Sequence, residues 1–193
     1  MAKIFILMGV SSTGKTKVGI EMSRQLGIKL IDGDDLHPKT NIIKMEEGQP
    51  LNDTDRLPWL ERIRDAAFSL ETKNEVGIII CSALKKKYRD LIREGNQNIA
   101  FIFLHGEYSL VLERMRQRKG HYMKEQMLKS QFDTLEIPLS EEDDVTFVDI
   151  SGEFEEIVKK CIEATKLQTD DTKAYKKVAV NGINSLNLAK KYI

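Results

Sequence analysis

Five short apolar runs, separated by longer amphipathic stretches, constrain this chain more than any other feature. Residues 3–8, 28–31, 76–81, 99–104 and 145–150 each have the length of a strand. Their apolar character is nearly unbroken, as in strands covered on both faces. Between them the spacing predicts helices over 15–26, 40–47, 53–71, 85–93, 108–118, 124–135 and 153–167. Gly27, Gly48, Gly95 and Gly120 stand where several of these would end, as helix-terminating glycines do. In 53–71, Leu57, Leu60, Ile63, Ala67 and Leu70 fall near one face, and Trp59 reads as core or as part of a contact between copies. Strands alternating with helices imply βαβ units, an α/β fold and a mostly parallel sheet.

One domain over 1–167 accounts for this pattern. Residues 168–193 change character, becoming rich in Lys and Asn, and read as a flexible tail or a docked helix. No run approaches the roughly 18–20 apolar residues of a membrane helix, and the apolar stretch 4–8 is too short for a secretory signal. Two cysteines, Cys81 and Cys161, form no disulfide framework, which points to a reducing cytoplasm. With the three histidines they show no zinc-ligand spacing.

Gly9-Val10-Ser11-Ser12-Thr13-Gly14-Lys15-Thr16 matches the pattern G-x-x-x-x-G-K-[ST]. It follows a predicted strand and opens a predicted helix, which is the context the pattern requires. Gly9 and Gly14 let the backbone wrap an anion. The loop amides and helix start direct partial positive charge at the β-phosphate. Lys15 adds a full charge near the β- and γ-phosphates, and Thr16 offers a hydroxyl to Mg²⁺. These residues imply ATP-type nucleotide and Mg²⁺, and leave the acceptor open.

Asp32-Gly33-Asp34-Asp35 follows the second predicted strand. Carboxylates at the C-terminal end of a parallel strand lie beside the phosphate loop. In an extended chain Asp32 and Asp34 share a side. Asp32 then suits an outer-shell ligand of Mg²⁺, and Asp34 a base or orienter for an acceptor hydroxyl.

Several longer blocks accompany the loop: Asp32 to Pro38, Asn41 to Met45, Gly48 to Leu60, Cys81 to Asp90, Arg118 to Met123 and Ser130 to Glu136. Together they resemble gluconokinases of the small phosphate-loop type, over about residues 1–167. The resemblance implies a three-layer fold akin to nucleoside-monophosphate and shikimate kinases, with a five-stranded, mostly parallel sheet and a mobile lid. It implies transfer of phosphate from ATP to the 6-hydroxyl of D-gluconate, and a homodimer. Ser12 and Thr13 stand where that family more often has Gly and Ser.

Gluconate carries a carboxylate and several hydroxyls, so its site needs a cation and hydrogen-bonding partners. Arg56, Lys85 and Arg89 lie in the resembling blocks and are candidates for that cation. His37, His121 and Gln131 are candidates for hydroxyl contacts. By resemblance Arg114 would lie near adenine, and Arg118 would approach the phosphates as a catalytic cation. His105 reads as structural.

Two other readings fit parts of the sequence. The same scaffold could serve another acceptor, such as shikimate or a nucleoside monophosphate. A nucleotide-dependent switch is the second, since Asp149-Ile150-Ser151-Gly152 fits D-x-x-G, but no Asn-Lys-x-Asp guanine motif accompanies it.

Charge completes the sequence picture. Thirty Lys and Arg balance thirty Asp and Glu. A neutral total opposes general affinity for nucleic acid. The balance is a cancellation, however. Basic residues gather in 85–93 and 114–124, while 133–156 holds acids and no Lys or Arg. The two basic groups are expected to flank one anion-binding cleft.

Overall fold

The computed structural model describes residues 3–117 and 125–169. All five expected strands form: β1 (Ile4–Met8), β2 (Lys29–Asp32), β3 (Gly77–Ile80), β4 (Ile99–His105) and β5 (Val145–Asp149). They make one sheet in the order β2-β3-β1-β4-β5, and every pairing is parallel. Ile6 of β1 lies opposite Ile79 of β3 and Phe101 of β4. The unbroken apolar runs have the expected cause, since β1, β3 and β4 are buried along their whole length. The edge strands differ. Lys29 of β2 is exposed, and β5 is mostly half-buried.

Seven helices surround the sheet: α1 (Lys15–Leu26), α2 (Lys39–Glu46), α3 (Asp53–Thr72), α4 (Lys86–Arg93), α5 (Tyr108–Gln117), α6 (Glu125–Thr134) and α7 (Phe154–Thr169). Side chains alternate across β1. Phe5 and Leu7 enter a core with Val18, Met22, Val158 and Cys161, which belong to α1 and α7. Ile4, Ile6 and Met8 enter a second core with Trp59, Ile63, Ala67 and Ile92, which belong to α3 and α4. This is the three-layer arrangement, and each buried aliphatic side chain contributes about 1.5–3 kcal/mol. On α3 the buried stripe holds Trp59, Leu60, Ile63, Ala67 and Leu70, so Trp59 is core, while Leu57 is exposed. Asn52 and Asp55 form a reciprocal capping box that fixes where α3 begins.

One boundary moves. α7 runs to Thr169, and Gln168 donates from Nε2 to Thr146 Oγ1 at 3.1 Å. Residue 168 therefore belongs to the folded body, not to a tail. The remainder of the tail lies outside the described residues. Among the described residues no helix is long and apolar enough to cross a membrane.

Candidate active site

The phosphate loop joins the central strand β1 to α1. Gly9 has φ +141°, and a Cβ there would lie 2.5 Å from the carbonyl oxygen of Leu104. Both conformation and space therefore demand glycine. Gly14, at φ +96°, opens α1, and no side chain caps that helix start. Its first-turn amides are thus offered to an anion. Ser12 adopts a left-handed conformation, with φ +65°. The buried hydroxyl of Thr13 donates to Val10 O at 2.9 Å, and Lys15 Nζ donates to the same carbonyl at 2.9 Å. The loop is thus held in shape by its own groups, with Lys15 folded over it.

Beyond β2 the chain does not stay extended. Asp34 N donates to Asp32 Oδ1 at 3.0 Å and starts a 3-10 turn over Gly33–Leu36. The expectation that Asp32 and Asp34 share one side of an extended strand is therefore corrected. A short carboxylate that accepts a local amide competes with continued strand. The turn is pressed onto β3: a Cβ on Gly33 would fall 2.1 Å from Ile80 O, and Trp59 Nε1 donates to Gly33 O at 2.7 Å.

Burial pushes the Asp32 carboxyl above its ordinary range, and the charges of Asp34 and Asp35 push the same way, against the Asp34 amide and Lys15. Thr16 and Asp32 offer hard oxygens in this anionic setting, the chemistry that suits a Mg²⁺ ion. Among the described residues no three of His, Cys, Asp and Glu group as a metal cluster. A bound ion here would take its other ligands from phosphate oxygens and water.

The Cys81 thiol lies just past β3 and is buried in the core. Burial pushes it up to about 12, and the charges of Asp34, Lys15 and Arg56 are all felt there. Gly9 N donates to Ser82 O at 3.3 Å, so the phosphate loop meets the segment after β3 where the strands end. His37 stacks on Trp59, with ring centroids 4.3 Å apart and planes 14° apart. Burial and then the Arg56 charge hold its pKa down to about 4, so the ring is neutral at pH 7. Asn41 Nδ2 lies 3.3 Å from His37 Nδ1 and donates to Asp55 O at 2.8 Å. With Nδ1 accepting, the ring proton belongs on Nε2.

The cations separate into two groups. Arg56 donates from Nε to Leu51 O at 3.3 Å, and its guanidinium lies 5.9 Å from the Tyr88 ring centre. It forms no ion pair among the described residues. Lys85 Nζ is bound to Asp53 Oδ1 at 2.8 Å, and Lys87 and the Tyr88 hydroxyl also donate to that carboxylate. These hydrogen bonds hold the Asp53 carboxyl far below the usual range. Asp53 thus neutralises Lys85.

Arg89 is a correction. Its side chain is fully buried. Nε and Nη2 donate to Glu142 at 2.7 and 2.6 Å, and Nη1 to the carbonyls of Ala83, Leu84 and Glu136. It has no surface left for a substrate. Arg93 completes the network through Glu142 and Asp144, and Lys86 pairs with Asp90. Of the two basic groups expected to flank an anion cleft, 85–93 is therefore spent on internal carboxylates.

Arg114 Nη2 donates to Ile150 O at 2.6 Å, which ties α5 to the residue after β5. Gln131 Oε1 accepts from Ser11 N at 2.7 Å, so Gln131 sits on the phosphate loop. Arg118 and His121 lie outside the described residues. Sequence reasoning missed Asn41, Asp53 and Tyr88. The Asn52–Asp55 capping pattern was the available signal, since it fixes Asp53 at the start of α3.

Comparison with known proteins agrees with this fold. The family model for shikimate kinase matches residues 11–166. The thermosensitive gluconokinase of Escherichia coli K12 is 51% identical over 160 residues, covering 83% of this chain and 86% of that protein. The thermoresistant gluconokinase of the same strain is 51% identical over 163 residues, covering 84% and 93%. A crystal structure of a gluconokinase from Sinorhizobium meliloti 1021 superimposes with a TM-score of 0.77 at 41% identity, covering 86% of this chain and 93% of that one.

Proposed function

Because the chain belongs to the gluconokinase family of shikimate-kinase-type phosphate-loop kinases, we propose that it transfers the γ-phosphoryl group of ATP to the 6-hydroxyl of D-gluconate. One observation supports the assignment of roles: the phosphate loop, through Gly9 N donating to Ser82 O at 3.3 Å, and the turn that carries Asp34, through Gly33 pressed on Ile80 O, both meet the end of β3. A phosphate-binding cation and a carboxylate then stand on neighbouring segments, and Arg56 forms no ion pair among the described residues.

In this reading the loop from Gly9 to Thr16 holds the phosphates, with Lys15 on the β- and γ-oxygens. Oxygen 6 of gluconate attacks the γ-phosphorus while the bond to the bridging oxygen of ADP breaks. The hydroxyl proton passes to the Asp34 carboxylate. The products are 6-phosphogluconate and ADP. Thr16 and Asp32 would hold Mg²⁺, which, when bound, supplies positive charge to the phosphate oxygens. Arg56 takes the gluconate carboxylate as a planar fork. Neutral His37 offers its Nε2 proton to a hydroxyl. Lys85, already tied to Asp53, lies by the same Tyr88 ring as Arg56, 5.6 Å from its centre. Arg114 serves the adenine side, and Arg118 and His121 act from the segment between α5 and α6.

The buried free thiols of Cys81 and Cys161 support a reducing, cytoplasmic setting. The homodimer rests on the resemblance and is checked by light scattering. The function itself is tested by ADP release with gluconate, shikimate, nucleoside monophosphates and other sugar acids. Turnover confined to gluconate is expected. Selective turnover of another acceptor overturns the substrate assignment, and tight GTP binding without transfer favours a switch.

A further inference from the structure

Gln131 is joined to the phosphate loop across 120 residues of sequence, through the 2.7 Å bond from Ser11 N to its Oε1. A backbone N–H can only donate, so this contact fixes which end of the carboxamide is oxygen. Nε2, with two protons, must then point the other way, and it meets no acceptor among the described residues. The side chain is half-buried, at the mouth of the loop.

The helix that carries it is well anchored. Leu128 of α6 is fully buried, and Phe132 packs edge-on against Tyr108 with centroids 5.1 Å apart. Just past α6, Glu136 N donates to Leu84 O at 2.9 Å, and Glu136 accepts from Lys86 N at 2.7 Å. The α6 unit thus grips the phosphate loop at one point and the β3–α4 loop, on the acceptor side, at another. Gln131 therefore reaches the phosphate loop from a helix that is also tied to the segment after β3.

We propose that Gln131 is a catalytic residue that donates from Nε2 to an oxygen of the phosphoryl group in transit, while Ser11 holds its Oε1. This rests on the phosphoryl-transfer reading above, and it moves Gln131 from gluconate hydroxyls to the phosphorus. A donor aimed at charge that spreads onto equatorial oxygens stabilises the transition state more than the ground state. Its alignment is already set by the Ser11 amide, so no side-chain freedom is lost at the moment of reaction.

Two variants test the role. Gln131→Ala removes the donor, and Gln131→Glu keeps an acceptor for Ser11 N while replacing the donor with an anionic oxygen. Wild-type turnover of gluconate is measured first, and its absence refutes the substrate reading and not the Gln131 role. With wild type active, Gln131→Ala is expected to lower kcat about ten- to a hundred-fold, with KM for gluconate nearly unchanged. Gln131→Glu is expected to be worse still, and to weaken ATP more than ADP, because only ATP presents the γ-phosphate. Thermal melts of both variants should stay close to wild type. Unchanged kcat in Gln131→Ala overturns the proposal. So does a rise confined to KM for gluconate, which would return Gln131 to the hydroxyls. Tighter ATP binding by Gln131→Ala also overturns it, because the carboxamide would then be a competitor for the loop.

Discussion

Arg56 and Arg89 occupy the same place in neighbouring helices. Each is the fourth residue of its helix, α3 beginning at Asp53 and α4 at Lys86. Each stands in a segment that resembles a gluconokinase, and both are candidates from sequence for an anionic substrate. Their surroundings divide them. Arg89 meets the buried Glu142, 53 residues further along the chain, and three carbonyls. Arg56 meets a carbonyl and an aromatic face, and no carboxylate pairs with it among the described residues. A cation's role is thus set by whether folding brings it an internal anion. The α4 side of the sheet spends its positive charge on cohesion, whereas Arg56 on the α3 side is left without an ion pair among the described residues.

The sharpest test begins with the carboxylate proposed to take the hydroxyl proton. Asp34→Ala should lower kcat by about 10³–10⁴-fold, near the upper end for a general base, with ATP affinity and melting temperature nearly unchanged. Steady-state kinetics together with calorimetric nucleotide titration check this.

On the α4 side, Arg89→Leu should cost about 3–5 kcal/mol of stability, because Glu142 is left buried without its main partner. Burial alone would raise the Glu142 carboxyl, but the hydrogen bonds and charges of Arg89, then Arg93, hold it low. Denaturant unfolding reads the loss, while activity per folded molecule should be retained. Equal loss of activity and stability at both Asp34 and Arg89 would erase the distinction between the two sides.

His37 gives a pH-dependent test. Its pKa in the fold, about 4, lies below the ordinary 6.5, so between those values the unfolded chain binds more protons than the folded one. Stability is therefore complete above about pH 6.5 and falls as pH drops toward 4, by about 3 kcal/mol from this group. His37→Gln should remove that share of the acid sensitivity, seen as a shallower dependence of unfolding free energy on pH.

The smallest effect is expected at Arg56. Arg56→Ala should raise KM for gluconate about ten- to a hundred-fold, the worth of a charge-assisted hydrogen bond, and leave stability within about 0.5 kcal/mol. Arg56→Lys should restore only part, because an ammonium cannot form the planar fork.

What could be read from the sequence follows the same division. The five strands and seven helices were legible because buried parallel strands need unbroken apolar runs. The phosphate loop was legible because its function lies in backbone and glycine, which leave a local pattern. The 3-10 turn after β2 was not, because one hydrogen bond from Asp34 N to the Asp32 side chain decides it. Arg89 misled because its partner belongs to an acidic stretch that reads, on its own, as solvated loop. The placement of Gln131 on Ser11 could not be read at all, since nothing local joins residues so distant in the chain.

Strand order has a consequence for how the molecule comes apart. β1 is central, paired on both sides and wholly buried, while β2, which leads into Asp32 and Asp34, is an edge strand with an exposed Lys29. Opening of the molecule should therefore be graded. Amide exchange should reach β2 in partial openings, and β1 only when the whole sheet is lost. The nucleotide end would outlast the acceptor end, so a warmed or mildly denatured population should still hold ATP after it has ceased to present a base to the incoming hydroxyl.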